Sequence, residues 1–393
     1  MQIPNVRIGG DSHICVLHII VGLDVGGAEM MLKRLVNSFA DKAGYRHIVV
    51  SLTSVGAVGV RLQFHGIEVH SLDMRSSLSV PLVLFRLVRL IRSIRPDIVQ
   101  TWMYHADLLG GLAARLAGNR HVIWGIRGSA IPQSGISTTQ VVVSTCSWMS
   151  YFLPKVIVCC AESARIAHIE KGYDRNRMVV IPNGYELAYF DRNIVRRVEM
   201  RNTFGFNDND VIVGIVGRYD TLKDHKNFVL AATRVASKVN HVRFLMVGRG
   251  VDSTNEALVG LLEESGVADR FVLVGERDDV PDCLDAMDIF CLSSFKEGFP
   301  NVVCEAMAMS LPCVVTDAGD AAEIVADTGI VVEPRNSVAL AGALQTMICF
   351  DAEERLRLGR QARLRIEKYY SIEIASDRFE ALYKQIIKGS ANE

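Results

Sequence analysis

At 393 residues, 49% hydrophobic and 22% charged, the chain has the length of two or three domains and enough apolar residues for large cores, which excludes a disordered, collagenous or disulfide-stapled protein. Lys+Arg total 43 against 44 Asp+Glu, a net charge of −1, so no basic excess argues for nucleic acid and any anion site must be local. The nine cysteines are odd in number, fall in apolar runs such as 156–160 and 289–292, and show neither Cys-x-x-Cys nor zinc spacing, so they read as free buried thiols of a reducing, cytoplasmic compartment.

In chain order, the apolar run 14–23 follows only one basic residue, Arg7, and has no cleavage signal; it reads as a first core strand, not a signal peptide. Strand-type runs recur at 47–52, 97–101, 121–125 and 155–160, with helical patterns between them at 28–39 and 105–117. Near-continuous apolar strands alternating with helices point to a parallel sheet covered on both faces. Arg86, Arg89, Arg92 and Arg95 recur among Leu, Val and Ile, giving a basic amphipathic helix that suits anionic headgroups or is simply a solvated face. Between Ser129 and Pro154 no residue is charged. The apolar part covers about 13 residues, short of the ~20 a membrane span requires. It reads first as a buried helix and second as a lipid-facing element.

The run Ile181-Pro182-Asn183-Gly184 breaks the pattern as a turn or linker. The alternation then restarts, with strands expected at 211–216, 242–247, 271–274, 287–292, 312–315 and 329–332. The expected division is a first Rossmann-like domain over 1–183, a second over 184–370, and a segment 371–393 whose helix, near 372–387, crosses back to the first. Two such α/β units place ligand sites at the carboxyl ends of their strands, across a cleft.

Three constellations fall at such ends. Gly26-Gly27-Ala28-Glu29 joins the first strand to a helix. Its glycines permit close backbone approach and the helix start offers amides to an anion, although the same turn can be purely structural. Gly217-Arg218 and Lys223 follow the strand at 211–216; two cations there suit a diphosphate, Arg as a fork and Lys as a point charge. Lys226 is the weaker alternative, and solvated loop charges are the plain one. Glu297-Gly298-Phe299-Pro300-Asn301 opens a helix that carries Glu305 two turns in or less. Its first amides can hold phosphate, Glu305 can accept from ribose hydroxyls and Glu297 from sugar hydroxyls.

Taken together, Glu297-x7-Glu305, Gly217-Arg218-x4-Lys223, Gly26-Gly27-Ala28-Glu29 and Ile181-Pro182-Asn183-Gly184 resemble the retaining glycosyltransferases of family 4, of the bacterial surface-polysaccharide type, over nearly the whole chain. The resemblance implies a GT-B architecture of two Rossmann-like domains. It implies a nucleotide-diphosphate sugar as co-substrate, no other cofactor and no metal. It further implies that Arg218 and Lys223 hold the donor diphosphate, Glu305 the ribose and Glu297 the donor sugar. Phe299, Pro300 and Asn301 would contribute backbone contacts to the sugar and Val302 and Val303 to the phosphate, with Gly275-Glu276-Arg277 beside the nucleobase. Where relatives carry His-x-His, this chain has Gln100-Thr101-Trp102. His105 is the candidate to fill that space, with a core or capping histidine as competitor and Asp107 as substitute. Arg127 is a candidate for an acceptor phosphate or an ordinary surface arginine. Asp208-Asn209-Asp210 matches the Asp-x-Asp pattern of metal-dependent transferases, but it precedes a strand in a polar turn.

The function expected is transfer of a sugar, with retention, to a hydroxyl acceptor, a lipid-linked saccharide in polysaccharide or O-antigen assembly, with peripheral contact to an anionic membrane. A nucleotide-sugar epimerase and a non-catalytic nucleotide-sugar-binding subunit are the alternatives. The first would need further acid–base carboxylates in the cleft.

Overall fold

The computed structural model describes residues 13–40, 42–129 and 138–390. The first half supplies β1 (Ile14–Ile20), β2 (Tyr45–Ser51), β3 (Glu68–Ser71), β4 (Ile98–Trp102), β5 (Val122–Ile126), β6 (Val156–Cys159) and β7 (Met178–Val180). They form one parallel sheet in the order β3-β2-β1-β4-β5-β6-β7. The second half supplies β8 (Val211–Val216), β9 (Val242–Val247), β10 (Phe271–Leu273), β11 (Ile289–Leu292), β12 (Cys313–Thr316) and β13 (Gly329–Val332). These make a second parallel sheet, ordered β10-β9-β8-β11-β12-β13.

The helices of the first half are α1 (Gly27–Ser38), α2 (Gly56–Phe64), α3 (Val80–Ile94), α4 (Tyr104–Ala117), α5 (Thr138–Met149) and α6 (Glu162–Glu170). The second half carries α7 (Ile194–Thr203), α8 (His225–Ala236), α9 (Glu256–Ser265), α10 (Val280–Asp285), α11 (Asn301–Ala308), α12 (Ala321–Val325), α13 (Ser337–Cys349) and α14 (Ala352–Tyr369). The final helix, α15 (Ile372–Ser390), packs on the first lobe. There Tyr383 donates to Gln100 Oε1 at 2.5 Å and Lys42 reaches Asp377 and Glu380 at 2.7 and 3.0 Å. The crossing is pinned where the Tyr185 amide donates to the Tyr370 carbonyl and the Ile372 amide to that of Tyr185, each at 3.0 Å.

Central strands β4, β5, β8, β11 and β12 are buried along their whole length, as expected of sheets with helices on both faces. Each sheet reverses its strand order once, between β1 and β4 and between β8 and β11. At such a reversal the flanking helices leave to opposite faces and open a crevice. The loops that leave β1, β4, β8 and β11 are therefore the ones placed to hold a ligand, and they carry the Gly26, His105, Arg218 and Glu297 segments.

Among the described residues no helix is long and apolar enough to cross a membrane. Residues 130–137 of the uncharged stretch lie outside the described residues. The remainder forms α5, which buries only Val143 and Cys146 and exposes Trp148. It is thus a surface helix, not the buried one expected, because its apolar residues do not all fall on one face. The cysteines are free; Cys349 is exposed, Cys15 half-buried and the rest buried.

Candidate functional site

The loops leaving β8 and β11 are stitched together. The Phe295 amide donates to the Leu222 carbonyl at 2.8 Å, and Ser293 Oγ to that of Lys223 at 2.8 Å. This brings Lys223 Nζ to 2.6 Å from Glu297 Oε1, which also accepts from Ser294 Oγ at 2.6 Å. Gly217, at the end of β8, lies against Gly248, whose φ is +148°; a Cβ on Gly248 would sit 2.1 Å from the Gly217 carbonyl oxygen. Only glycine allows that approach. Arg218 does not join Lys223. Its side chain is 67% exposed and its Nε lies 3.1 Å from Asp220 Oδ2. The Leu222 amide and then Arg218 hold the Asp220 carboxyl below its ordinary range. The two cations are thus each neutralised by a carboxylate, one anchored near Glu297 and one free to swing in solvent.

A cavity of about 320 Å³ lies between the lobes, lined by Gly26, Gly27, Arg34, Arg277, Asn301 and Glu305 among others. Gly27 presses on Asn301, whose Nδ2 would be 3.0 Å from a Cβ added at Gly27. Asn301 Oδ1 accepts from Tyr185 Oη at 2.6 Å and from Asn183 Nδ2 at 2.9 Å. Glu305 is half-buried, with Arg34 Nη2 of α1 at 3.6 Å. Burial raises its carboxyl pKa, and the Arg34 guanidinium opposes that shift. Arg34 also sits 4.7 Å over the Tyr185 ring. Arg277 is held by Asp279, with Nε to Oδ1 at 2.7 Å.

The turn between Glu297 and α11 is clamped from the first lobe. Ser129 Oγ donates to the Glu297 carbonyl, and a Cβ on Gly298 would lie 2.9 Å from the Ser129 amide nitrogen. Phe299 is buried against the Tyr370 ring, centroids 5.8 Å apart, so its side chain is core. Pro300 is the N-cap residue of α11, and the Val303 amide donates to its carbonyl at 3.0 Å. The Val303 amide is therefore taken up by the first turn, and its side chain is fully buried. Val302, half-buried, packs on the core edge.

His105 stands in the first turn of α4, half-buried, with its pKa lowered by burial. It does not line the inter-lobe cavity. Asp107 is no substitute. It is fully buried in the first lobe, accepting from Thr101 Oγ1 at 2.5 Å and the Gly125 amide at 3.2 Å, and desolvation lifts its carboxyl to about 8. It ties β4 to β5. Arg127 is not a surface arginine either. Its guanidinium lies 4.3 Å over Trp102 and donates to Asn183 Oδ1 at 3.2 Å, while Nε and Nη2 are buried without a partner. Asp210 accepts from the Asn207 amide at 2.8 Å, so the Asp-x-Asp segment is a closed turn ahead of β8. Among the described residues no group of three or more His, Cys, Asp and Glu side chains is gathered for a metal ion.

Two family models match this chain, one described as Glycosyltransferase Family 4 over residues 25–189 and one as Glycosyl transferases group 1 over residues 210–349. The chain belongs to the family 4 glycosyltransferases. It is 29% identical over 251 residues to the UDP-Gal:alpha-D-GlcNAc-diphosphoundecaprenol alpha-1,3-galactosyltransferase of Escherichia coli, a match covering 62% of either chain. The match therefore spans less than two thirds of that relative's length. It is 27% identical over 328 residues to the N,N'-diacetylbacillosaminyl-diphospho-undecaprenol alpha-1,3-N-acetylgalactosaminyltransferase of Campylobacter jejuni, covering 80% of this chain and 84% of that one. The Anabaena protein HepE, solved in complex with UDP, superposes with a TM-score of 0.81 at 21% identity, over 94% of this chain and 99% of that one. That likeness speaks for the GT-B fold.

The glycosyltransferase site also contains residues that sequence reasoning passed over. Arg34 shares a helix face with Gly27, seven residues earlier, a spacing that returns to the same side after two turns. That spacing was the available signal. Asn183 and Tyr185 flank the linker glycine, and nothing local marks them as partners of Asn301. Ser129 and Asp320 act across the lobes and carry no motif.

Proposed function

We propose that this glycosyltransferase moves a sugar, with retention, from a nucleoside-diphosphate donor to a hydroxyl of a lipid-linked saccharide in bacterial surface-polysaccharide assembly, at the cytoplasmic face of the membrane. The observation that carries this reading is the convergence of the Lys223–Glu297–Ser294 cluster and the Gly27–Asn301–Glu305 cavity at the order reversals of two facing sheets. In this reading the Glu305 carboxylate, paired with Arg34, accepts from ribose hydroxyls. Glu297 accepts from sugar hydroxyls in the same reading, and Lys223 is then released toward the diphosphate. Arg218, in solvent on a short tether, can swing to the same diphosphate. A uridine donor is the first choice, because UDP stands in the HepE complex and UDP-Gal in the name of the E. coli relative.

The bond from the anomeric carbon to the diphosphate breaks, and that carbon bonds to the acceptor oxygen on the same face. The acceptor proton passes to the departing phosphate oxygen. Fixed cations and amides at a developing charge are the strongest lever such a site has. The first lobe supports the lipid-linked acceptor. Between residues 75 and 155 it has nine Lys/Arg against two Asp, and Trp148, Tyr151 and Phe152 are exposed at 66%, 47% and 59%. Aromatic rings beside cations suit an anionic bilayer surface.

The test is incubation of the purified chain with UDP-sugars and a polyprenyl-diphosphate saccharide, with the anomeric configuration of the product read by NMR. Transfer with retained configuration is expected. Inverted product removes the same-face route, and an isomerised donor without acceptor, or tight binding without turnover, removes the transferase reading.

A further inference from the structure

We propose that Asp320 is the latch of this protein, a positioning residue that makes closure of the two lobes and placement of the Glu297 turn a single event. Helix α6 of the first lobe starts after Ala161, which offers no side-chain cap. Its first amides are capped instead from the second lobe: Asp320 Oδ2 accepts from the Glu162 amide at 2.7 Å and Oδ1 from the Ser163 amide at 2.9 Å. Asp320 stands at the N-cap position of its own helix α12, yet makes no side-chain cap bond there. A residue type favoured for capping its own helix thus spends its carboxylate on a helix of the opposite lobe.

The backbone of the same residue faces the donor turn. The Asp320 amide donates to the Gly298 carbonyl at 3.1 Å, and Ser163 Oγ reaches that carbonyl at 3.3 Å. Gly319 adopts φ +63°, and a Cβ on it would lie 2.3 Å from the Gly298 oxygen and 2.7 Å from that of Glu297. Gly298 is therefore gripped by Asp320 from one side and by α6 from the other. The grip on α6 exists only while the lobes are together, so the turn that aims Glu297 is fixed by closure. The effect on Glu297 rests on the transfer function proposed above; the latch itself does not.

The cap can be broken from either side. Asp320→Ala removes the acceptor. Glu162→Pro removes one donor without disturbing the helix, because proline is favoured at the first helical position and Ala161 already has the extended backbone that must precede it (φ −152°, ψ 151°). Glu162→Ala keeps the amide and controls for the lost Glu162–Arg165 pair. Asp320→Asn keeps one of the two accepting oxygens and turns an NH2 toward the other amide, so it preserves one cap bond and loses the other. Small-angle scattering should show the largest radius of gyration for D320A, a smaller increase for E162P and D320N, each of which loses one of the two bonds, no change for E162A, and little further expansion in the D320A/E162P double variant. Turnover should fall about two- to thirtyfold in D320A, the range a lost cap corresponds to, and be partly restored by D320N. The proposal is overturned if D320A and E162P stay as compact as the parent, or if D320N expands as far as D320A. Should D320A fail to fold, the E162P against E162A comparison decides alone. If no sugar nucleotide supports transfer while D320A and E162P expand, the latch stands and the transferase reading falls.

Discussion

Gly27→Ala separates stability from function in a way the geometry makes quantitative. Gly27 opens α1 with no backbone strain, and an added methyl would sit 3.0 Å from Asn301 Nδ2. Ordinary contacts begin near 3.5 Å, so Asn301 must give way by roughly 0.5 Å. It has little slack, because its Oδ1 is bonded to Tyr185 at 2.6 Å and Asn183 at 2.9 Å. Misaligning one such bond costs about 0.5–1.5 kcal/mol, or roughly two- to twelvefold in an equilibrium. The helix responds in the opposite sense, since replacing Gly by Ala favours helix by up to ~1 kcal/mol in an interior and by less at an end. The two effects nearly offset in stability, so the expected result is a melting temperature little changed or slightly lowered, with UDP affinity and turnover each lowered about two- to twelvefold because Asn301 borders the cavity, measured by calorimetry and steady-state kinetics. Gly26→Ala is the comparison. The atoms nearest to a methyl there are those of the Glu29 carboxylate, the far end of a flexible side chain, so its effect should be several-fold smaller. G27A with full affinity and turnover, or G26A impaired as badly, refutes the argument.

Glu297→Gln should reduce transfer about ten- to a hundredfold, a charge-assisted contact to sugar being lost, while stability falls by under ~1 kcal/mol because the Lys223 pair is partly solvated; full activity in a sensitive radiolabel assay removes Glu297 from the site. Desolvation lowers both His18 and His47, the latter to about 4, and their rings stack with Nε2 of His18 2.8 Å from Nδ1 of His47. A base depressed in the folded state charges more readily when unfolded, so stability is present above about pH 6.5 and drains as pH falls toward 4. Denaturant unfolding of His47→Gln should show a shallower loss over that range than the parent, and equal slopes reject the assignment. Asp107 behaves oppositely. Its carboxyl is lifted to about 8, so the neutral form is favoured in the fold and stability is lost as pH rises from about 4 toward 8. Asp107→Asn should gain on the order of a few kcal/mol over the parent at pH 8 relative to pH 4, and parallel pH curves contradict it.

Much of the fold is written in runs of apolar residues. The strands of both sheet centres were legible because burial on two faces leaves no polar alternation to confuse them. The two strands that went unnoticed, β3 with sequence Glu-Val-His-Ser and three-residue β7, are the edges of the first sheet, where one side faces solvent and the apolar run dissolves. The glycines were legible for the same local reason, since a close approach leaves a small residue behind. Long-range polar contacts leave no such trace. Spacing alone suggested that Arg218 and Lys223 act together, but Asp220, between them, captures Arg218, while Lys223 is drawn to a residue in a loop 74 positions on. Arg34 had only its seven-residue spacing from Gly27 to mark it, and Tyr185 and Asp320 became visible only when the two sheets faced each other. The uncharged stretch misled for a related reason: lack of charge was taken for burial, whereas α5 leaves Trp148 and Val141 in solvent.

The residues that join the lobes and those that face the proposed donor are largely the same. Glu297 contributes its carbonyl to Ser129 and its carboxylate to Lys223; Asn301 bonds Asn183 and Tyr185 while bordering the cavity; Glu305 pairs with Arg34 across it. Apart from the Lys223 pair, which lies within the second lobe, these contacts are hydrogen bonds and one ion pair, each contributing about 1 kcal/mol net. A closed state held by a few such terms lies within a few kcal/mol of an open one. A ligand that adds bonds to Glu297, Asn301 or Glu305 when the lobes meet must therefore shift that balance, by no more than its own preference for the closed form. Closure and donor binding are then coupled by the shared side chains themselves, and no separate relay between them is required.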